Sequence, residues 1–489
     1  MDLLNSCGSV LGWDEQVNMP PQGAEHRAKQ VGLIAGLVHD RATDPRLGEW
    51  LRELEASPLV ADPQSDSAVN VREARRDYDR ATKFTREFVE ELSRICSLGQ
   101  KAWVEARAKK EFAHFLPWLE KIVSLKREEA KIIGYGDGVP YDALLDTYEP
   151  GVSTKHVQGW FEPLRKDLVK LLQDIQGSAK KPRTSILETA FPIDLQRSFC
   201  RHAASLIGFD FSAGRLDEAA HPFCSEVGPG DVRLTTRYDF HHFPGAFFGT
   251  LHEAGHGIYE QGLPKGEAAG TPLAHAVSLG IHESQSRFWE NFIGRSRAYW
   301  EYMLPQARAV FPSSLGGVSL DEFLLAVNSV QPSFIRVEAD EVTYNLHIML
   351  RFELEQKLIS GELEARDVPE VWNANFTRDF GITPSDDAQG CLQDIHWSFG
   401  GIGYFPTYTL GNMCAAQFHG AICRDLGDLS GIVRRGDFPA IKDWLNEKIH
   451  RHGKREHCRK LVESVSGEAL SHRPLVQHLR GKFGELYGF

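Results

Sequence analysis

The sequence lacks the features that mark membrane-bound, secreted and nucleic-acid-binding proteins. No apolar run is long enough to span a bilayer. The first residues, Met1-Asp2-Leu3-Leu4-Asn5, have neither the basic start nor the apolar core of a secretory signal. The net charge of -12 argues against non-specific binding to nucleic acid or to anionic membranes. We therefore expect a protein whose partners are neither nucleic acid nor membrane.

Cysteine is also scarce, with eight residues in a chain of 489. None of the cysteines are spaced as Cys-x-x-Cys, and a chain this long needs no disulfides to stabilise its core. We interpret them as reduced thiols in a cytoplasmic protein. The composition, 42% hydrophobic and 25% charged, is typical of an ordinary globular protein.

The apolar periodicity predicts a mainly α-helical chain. Helices are predicted at about 23–57, 66–133, 154–176, 193–208, 276–311, 319–330, 339–360, 366–380, 408–426, 437–449 and 470–486. Residues 231–238 alternate partly between apolar and polar and include β-branched residues, which predicts a short strand. A small sheet there would offer an edge with which an extended peptide could pair.

The most informative motif is His252-Glu253-Ala-Gly-His256. On a helix, residues at i and i+4 lie on one face, so the two imidazoles can bind one metal ion. Glu253 lies beside that face and can take a proton from water held by the metal. Pro244 suits the start of this helix and Gly262 its end. The motif predicts a zinc peptidase.

A catalytic zinc needs a third protein ligand. Glu283, on a following predicted helix, is the preferred candidate. Glu260 is the alternative, although a ligand on the same helix would point along that helix rather than close a tetrahedron. His282 and Glu290 are candidates for groups that orient the ligands, or are simply surface residues.

Several further segments carry a specific resemblance. They are His221-Pro222-Phe223, Asp231-Val-Arg233-Leu-Thr235, His252-Glu253-Ala-Gly-His256, His282-Glu283-Ser284-Gln285, Ile335-Arg336-Val-Glu-Ala339-Asp340, Gly390-Cys-Leu-Gln393-Asp394-Ile-His396-Trp397 and Gly403-Tyr404-Phe405-Pro406-Thr407-Tyr408. With these segments in this order, the chain resembles the M32 family of metallocarboxypeptidases, the carboxypeptidase Taq type, over essentially its whole length.

The resemblance implies a fold and an assembly. The fold is mainly α: a large helical saddle-like body with a deep active-site groove and a small β-sheet beside the His-Glu-x-x-His helix. Residues 1–489 would form one peptidase domain, with a helical N-terminal part at about 1–208 and a metal-site and groove part at about 209–489. A homodimer is implied as well. Family members carry a further helix before the segment matching Trp13-Asp14, and Phe where this chain has Ile402.

The resemblance also implies an activity, the removal of single residues from the free C-terminus of peptides. It implies that His252, His256 and Glu283 bind one divalent metal and that Glu253 is the general base. Zn²⁺ is the expected metal and Co²⁺ the alternative.

A carboxypeptidase must recognise a free carboxylate, which a planar guanidinium binds with two parallel hydrogen bonds. Arg336 and Arg233 are the candidates, although each could instead be an ion-pair partner of Asp340 and of Asp231 respectively. The remaining candidates are His396, Tyr404 and Tyr408. They could donate hydrogen bonds to the substrate carboxylate or to the developing oxyanion, or they could simply pack in the core.

Two other functions stay open from the sequence. One is another zinc peptidase with the same motif, an endopeptidase or an aminopeptidase. The other is a catalytically silent binding protein of the same fold.

Overall fold

The computed structural model describes residues 1–489, which form 21 α-helices and three strands. Nine helices precede the sheet: α1 Asp2–Val17, α2 Ala24–Ala42, α3 Pro45–Glu55, α4 Asp66–Ala81, α5 Arg86–Lys109, α6 Leu116–Ile133, α7 Pro140–Leu145, α8 Thr154–Gly177 and α9 Ile193–Leu206. The strands are β1 Gly214–Glu218, β2 Cys224–Gly228 and β3 Asp231–Thr236. The helices after the sheet are α10 Phe243–Gly262, α11 Leu279–Arg287, α12 Arg297–Val310, α13 Pro312–Leu315, α14 Leu320–Val327, α15 Thr343–Ser360, α16 Val368–Phe380, α17 Pro406–Leu426, α18 Leu429–Arg434, α19 Phe438–Lys448, α20 Cys458–Ser466 and α21 Arg473–Tyr487.

Most predicted helices are found, and they begin where local signals place them. Helix α14 starts at a capping box in which the Ser319 hydroxyl accepts from the Glu322 N–H and the Glu322 carboxylate accepts from the Ser319 N–H. Helix α10 has Pro244 in its first turn. Directly after α11 the chain makes a π-helical turn, Phe288–Ile293, which contains Glu290.

The N-terminal half departs from the prediction in its boundaries. Helix α1 was not predicted, because its apolar residues follow no clear helical period and only Trp13 is buried. The long periodic stretches at 23–57 and 66–133 are each interrupted by turns. The highly charged helix α4 nevertheless buries Glu73, which pairs with Arg72.

The sheet has the order β1-β3-β2, with β1 parallel and β2 antiparallel to β3. The predicted strand is therefore the central one and has no free edge. Only β1 and β2 are edge strands, so the peptide-pairing edge expected from the sequence does not lie on residues 231–236.

The core is one continuous hydrophobic cluster that extends from Trp103 to Tyr487. Helix α15 runs through it, and nearly all residues of its first three turns are buried. No helix of the chain is both long enough and apolar enough to cross a membrane.

Two glycines allow the helices around the His252-Glu253-x-x-His256 motif to approach closely. A Cβ atom at Gly255 of α10 would lie 2.6 Å from the Gln285 carbonyl oxygen and from Ser286 Cα of α11. A Cβ atom at Gly411 of α17 would lie 2.6 Å from Glu283 Cβ. Since real Cβ atoms do not approach other atoms so closely, only glycine fits at these two contacts. Helix α10 therefore packs against the backbone of α11, and α17 packs against the Glu283 side chain of α11, so the three helices meet at one point.

Candidate active site

At that point, one nitrogen of each motif histidine faces the carboxylate of Glu283. The distance from Glu283 Oε2 is 3.7 Å to His252 Nε2 and 3.4 Å to His256 Nε2. The three side chains offer one ligand atom each, all within 4.8 Å of one another. Two imidazole nitrogens and a carboxylate oxygen are the donor set of a catalytic zinc site with an open position. The donor chemistry therefore fits a divalent metal.

The other nitrogen of each histidine is held by a neighbour. His252 Nδ1 is 2.9 Å from Glu290 Oε2. His256 Nδ1 contacts His282 Nδ1, whose ring is in turn held by Glu260, 2.8 Å from His282 Nε2. Such contacts fix the orientation of a ligand ring and leave its Nε2 atom free for a metal. Glu260 thus binds His282 and Lys265 and lies outside the three-residue set.

Burial sets the charge of these groups. Burial, followed by the charge of His282, lowers the pKa of His256 to about 3, so its ring is neutral, as a metal ligand requires. Burial also disfavours the charged form of His252, but Glu283 and the hydrogen bond to Glu290 outweigh it and raise its pKa. Since a metal ion binds the neutral ring, this raised pKa makes a proton a stronger competitor of the metal at His252.

Glu253 lies on the same helix, 6% exposed. Burial raises the pKa of its carboxyl to about 7. A carboxyl with a pKa near neutrality can both accept and return a proton at physiological pH. A divalent cation at the neighbouring ligands would lower this pKa again.

A second cluster surrounds Arg336. Its Nε and Nη2 atoms donate to Asp394 Oδ1 at 2.9 and 2.7 Å, and its Nη1 donates to the Tyr344 hydroxyl at 2.9 Å. The ion-pair partner is therefore Asp394 and not Asp340, the partner named in the alternative interpretation of the sequence. Asp340 instead accepts N–H groups of Val342 and Thr343 at the start of α15.

Three of the predicted substrate-binding residues lie around this arginine. His396 Nε2 is 3.1 Å from the Tyr408 hydroxyl, and the Arg336 guanidinium lies 5.0 Å from the centre of the Tyr408 ring. The rings of Tyr404 and Tyr408 are 5.4 Å apart. Burial and the nearby charge of Glu283 raise the pKa of Tyr404 to about 12, so it is a neutral donor beside the candidate metal ligands.

Arg233 does not join this cluster. It is on β3, and its Nε and Nη2 atoms donate to the two carboxylate oxygens of Asp231 at 2.8 and 2.6 Å. Its guanidinium lies 4.3 Å from the centre of the Trp13 ring. The structure thus gives Arg233 the ion pair that the sequence left open as its alternative role.

Comparisons with known proteins identify the family. The sequence profile described as carboxypeptidase Taq (M32) metallopeptidase matches residues 1–483. The chain belongs to this family. It is 50% identical to thermostable carboxypeptidase 1 of Thermus thermophilus, over 99% of this chain and 96% of the relative, and 40% identical to carboxypeptidase 1 of Bacillus subtilis, over 98% and 95%.

Solved structures of M32 enzymes agree with this assignment. The crystal structure of the M32 carboxypeptidase from Deinococcus radiodurans superposes with a TM-score of 0.95 at 40% identity, covering 99% of this chain and 97% of that one. The Pyrococcus furiosus carboxypeptidase, in its apo-Mg structure, gives 0.93 at 40% identity, covering 98% and 96%. The predicted fold class and the predicted metal-dependent carboxypeptidase activity are confirmed.

Sequence reasoning missed three residues of this M32 site: Arg287, Tyr344 and Asp394. Arg287 follows Glu283 at helical i,i+4 spacing, a signal that could have revealed it. Asp394 lies in a segment that resembles the family but is 58 positions from Arg336, so no local pattern pairs them. Tyr344 carried no signal.

Proposed function

We propose that His252, His256 and Glu283 bind one zinc ion and that the enzyme uses it to hydrolyse the last peptide bond of its substrates. The observation that carries this proposal is the convergence of two Nε2 atoms on Glu283 Oε2, with each Nδ1 atom already engaged elsewhere. A bound ion supplies Lewis acidity to the water and the carbonyl group beside it. Cobalt, which accepts the same donors, is the alternative metal.

Glu253 is the proposed general base. It accepts a proton from the attacking water and returns it to the leaving amine. The Tyr404 hydroxyl donates a hydrogen bond to the oxygen on which negative charge develops, because this hydroxyl is protonated and Tyr404 lies near Glu283.

Arg336 is the proposed receptor for the free C-terminal carboxylate. A guanidinium has five N–H groups, and three of those on Arg336 are engaged by Asp394 and Tyr344. One N–H on Nη1 and one on Nη2 remain as donors to a substrate carboxylate. His396 and Tyr408 are the other proposed donors to this carboxylate. Arg233 is a weaker candidate, because its guanidinium already pairs with Asp231.

Glu253→Gln tests the assignment. We expect turnover of a short peptide to fall about 10²–10⁴-fold while zinc content by mass spectrometry stays at the wild-type value. Glu267→Gln is the matched control, because Glu267 is an exposed carboxylate in the loop after the same helix. This variant should keep the wild-type turnover and the wild-type zinc content. Substantial activity in Glu253→Gln would refute the role of the base, and wild-type protein that binds no metal would favour a silent binding protein.

The finer organisation is also proposed. We propose one peptidase domain over residues 1–489, because one core cluster runs from Trp103 to Tyr487 and N-terminal helices pack against it, α1 on β2 and α5 on α6. A homodimer is proposed from the family resemblance, and a cytoplasmic location from the cysteine pattern. Light scattering on the purified protein tests the homodimer, because a monomer mass at micromolar concentration would contradict it.

A further inference from the structure

The two carboxylate oxygens of Glu283 have different neighbours. Oε2 faces the two histidine Nε2 atoms. Oε1 points away from them and accepts a hydrogen bond from Arg287 Nε at 2.6 Å. The Ser286 hydroxyl donates mainly to the Glu283 main-chain carbonyl, at 2.7 Å, and more weakly to Oε2, at 3.3 Å. One oxygen of the ligand is thus presented to the metal position and the other is held by a guanidinium.

Arg287 is itself fixed on two further sides. Its Nη1 donates to Glu290 Oε2 at 3.2 Å, the same oxygen that holds His252. Its guanidinium lies 4.2 Å from the centre of the Tyr344 ring, within range of a cation–π contact. The side chain of Arg287 is only 12% exposed. A guanidinium held by two carboxylates and an aromatic face cannot swing away from Oε1 without losing several contacts.

A carboxylate can bind a metal ion through one oxygen or through both. We propose that Arg287 restricts Glu283 to single-oxygen coordination through Oε2, and so keeps positions on the metal open for water and for the substrate carbonyl. Arg287 is a positioning residue: it touches neither substrate nor reacting atoms. The inference rests on the proposed metal-binding role of His252, His256 and Glu283.

A second consequence concerns His252. Arg287 binds both Glu283 and Glu290. It therefore fixes the distance between the proposed ligand Glu283 and Glu290, the residue that orients His252. Loss of Arg287 would leave two buried carboxylates facing each other without their shared cation, and a metal ion binding both oxygens of Glu283 would partly replace that cation.

The test uses the full chain loaded with Co²⁺, whose visible absorption weakens as its coordination number rises. In Arg287→Gln we expect weaker visible bands at full cobalt occupancy, since Glu283 then supplies a second oxygen. Arg287→Lys keeps a cation and should recover a large part of the wild-type intensity. The matched control is Arg295→Gln, which loses a contact to Glu290 but none to Glu283 and should keep the wild-type spectrum.

Three results separate the outcomes. An unchanged spectrum in Arg287→Gln with cobalt bound one to one would overturn the role of Arg287 while leaving the metal site intact. Equal cobalt binding in wild type and in Glu283→Gln would instead overturn the ligand assignment. Should Arg287→Gln not fold, X-ray absorption of wild-type protein decides the question, because a two-oxygen carboxylate places its carbon close to the metal and a single-oxygen one does not. Detection of that close carbon in wild type would overturn the proposal.

Discussion

Gly411 lies directly against the side chain of Glu283, on a helix that comes from more than a hundred residues later in the chain. A Cβ atom at Gly411 would lie 2.5 Å from Glu283 Cγ and 2.6 Å from its Cβ. Glu283 can therefore reach the two histidines only because α17 presents no side chain at that position. A residue without a functional group thus decides where the third proposed ligand lies.

Gly411→Ala should weaken metal binding. The added methyl group displaces Glu283 from the histidines, and we expect zinc affinity to fall about 10- to 100-fold, the range seen when support for a metal ligand is lost. Competition with a chromogenic chelator measures this. Gly420→Ala on the same helix is the control, because nothing lies within 4 Å of a Cβ atom there. Equal affinities in the two variants would contradict the packing argument.

Gly255→Ala should destabilise the fold rather than only the site. Its methyl group meets main-chain atoms of Gln285 and Ser286, which cannot move aside as a flexible side chain could. We expect the free energy of unfolding in urea to fall by about 1–3 kcal/mol. In Gly249→Ala the nearest atoms are 3.8 Å away, so that variant of the same helix should be as stable as wild type or slightly more stable.

The stability of the protein should depend on the ionisation of Glu355, which is fully buried on α15. Burial raises its pKa from 4.5 to about 7, although Tyr141, Trp397 and the Gly403 N–H donate to it. A raised pKa means that the folded state binds the proton more tightly than the unfolded state does. Its contribution is therefore complete below pH 4.5 and is lost as the pH rises through 7.

Urea unfolding of wild type and Glu355→Gln between pH 5 and pH 8 measures this effect. The unfolding free energy of Glu355→Gln relative to that of wild type should increase by up to about 3 kcal/mol as the pH rises. Glu73→Gln should show the opposite sign at lower pH. Burial there is outweighed by His457, whose Nε2 lies 3.8 Å from the carboxylate, and by the hydrogen bond from Arg72, and together they lower the pKa of Glu73 to about 2. A pH-independent difference for Glu355→Gln would exclude its titration.

Arg336→Lys should impair recognition of the C-terminus. A lysine has no planar pair of N–H groups, and loss of one charge-assisted hydrogen bond costs about 1.5–3 kcal/mol, so kcat/KM for a free peptide should fall about 10- to 100-fold. Arg233→Lys is the matched comparison, and we expect a smaller loss because Asp231 already engages that guanidinium. Cleavage of a C-terminally amidated peptide at the rate of the free one would contradict carboxylate recognition altogether.

The helix that carries His252 and His256 could be predicted from sequence because its signals are local. Helical i,i+4 spacing, a proline in the first turn and a glycine at the end all lie within twenty residues. Local geometry also favoured Glu283 over Glu260, because a ligand on the same helix would point along that helix. In the structure, the potential ligand atoms of His252, His256 and Glu283 lie within 4.8 Å of one another.

The partner of Arg336 could not be predicted in this way. Asp340, about one turn away, was the partner that the local spacing suggested. In the structure Asp340 instead accepts N–H groups at the start of α15, and Asp394, from a distant segment, pairs with Arg336. Helix α1 was missed for a related reason, because it buries only Trp13 and so shows little apolar periodicity. Contacts between distant segments are decided by packing, which a single sequence does not display.

The π-helical turn at Phe288–Ile293 has a consequence for recombining this enzyme with its relatives. Glu290, inside that turn, must reach His252 while Glu283, seven positions earlier, points to the same centre. Each residue of a helix advances about 100° around the axis. One inserted or deleted residue between the two would therefore turn one carboxylate by about 100°, away from the shared centre. Segment length is therefore constrained here as well as residue type, so chimaeric enzymes should be joined outside residues 279–294.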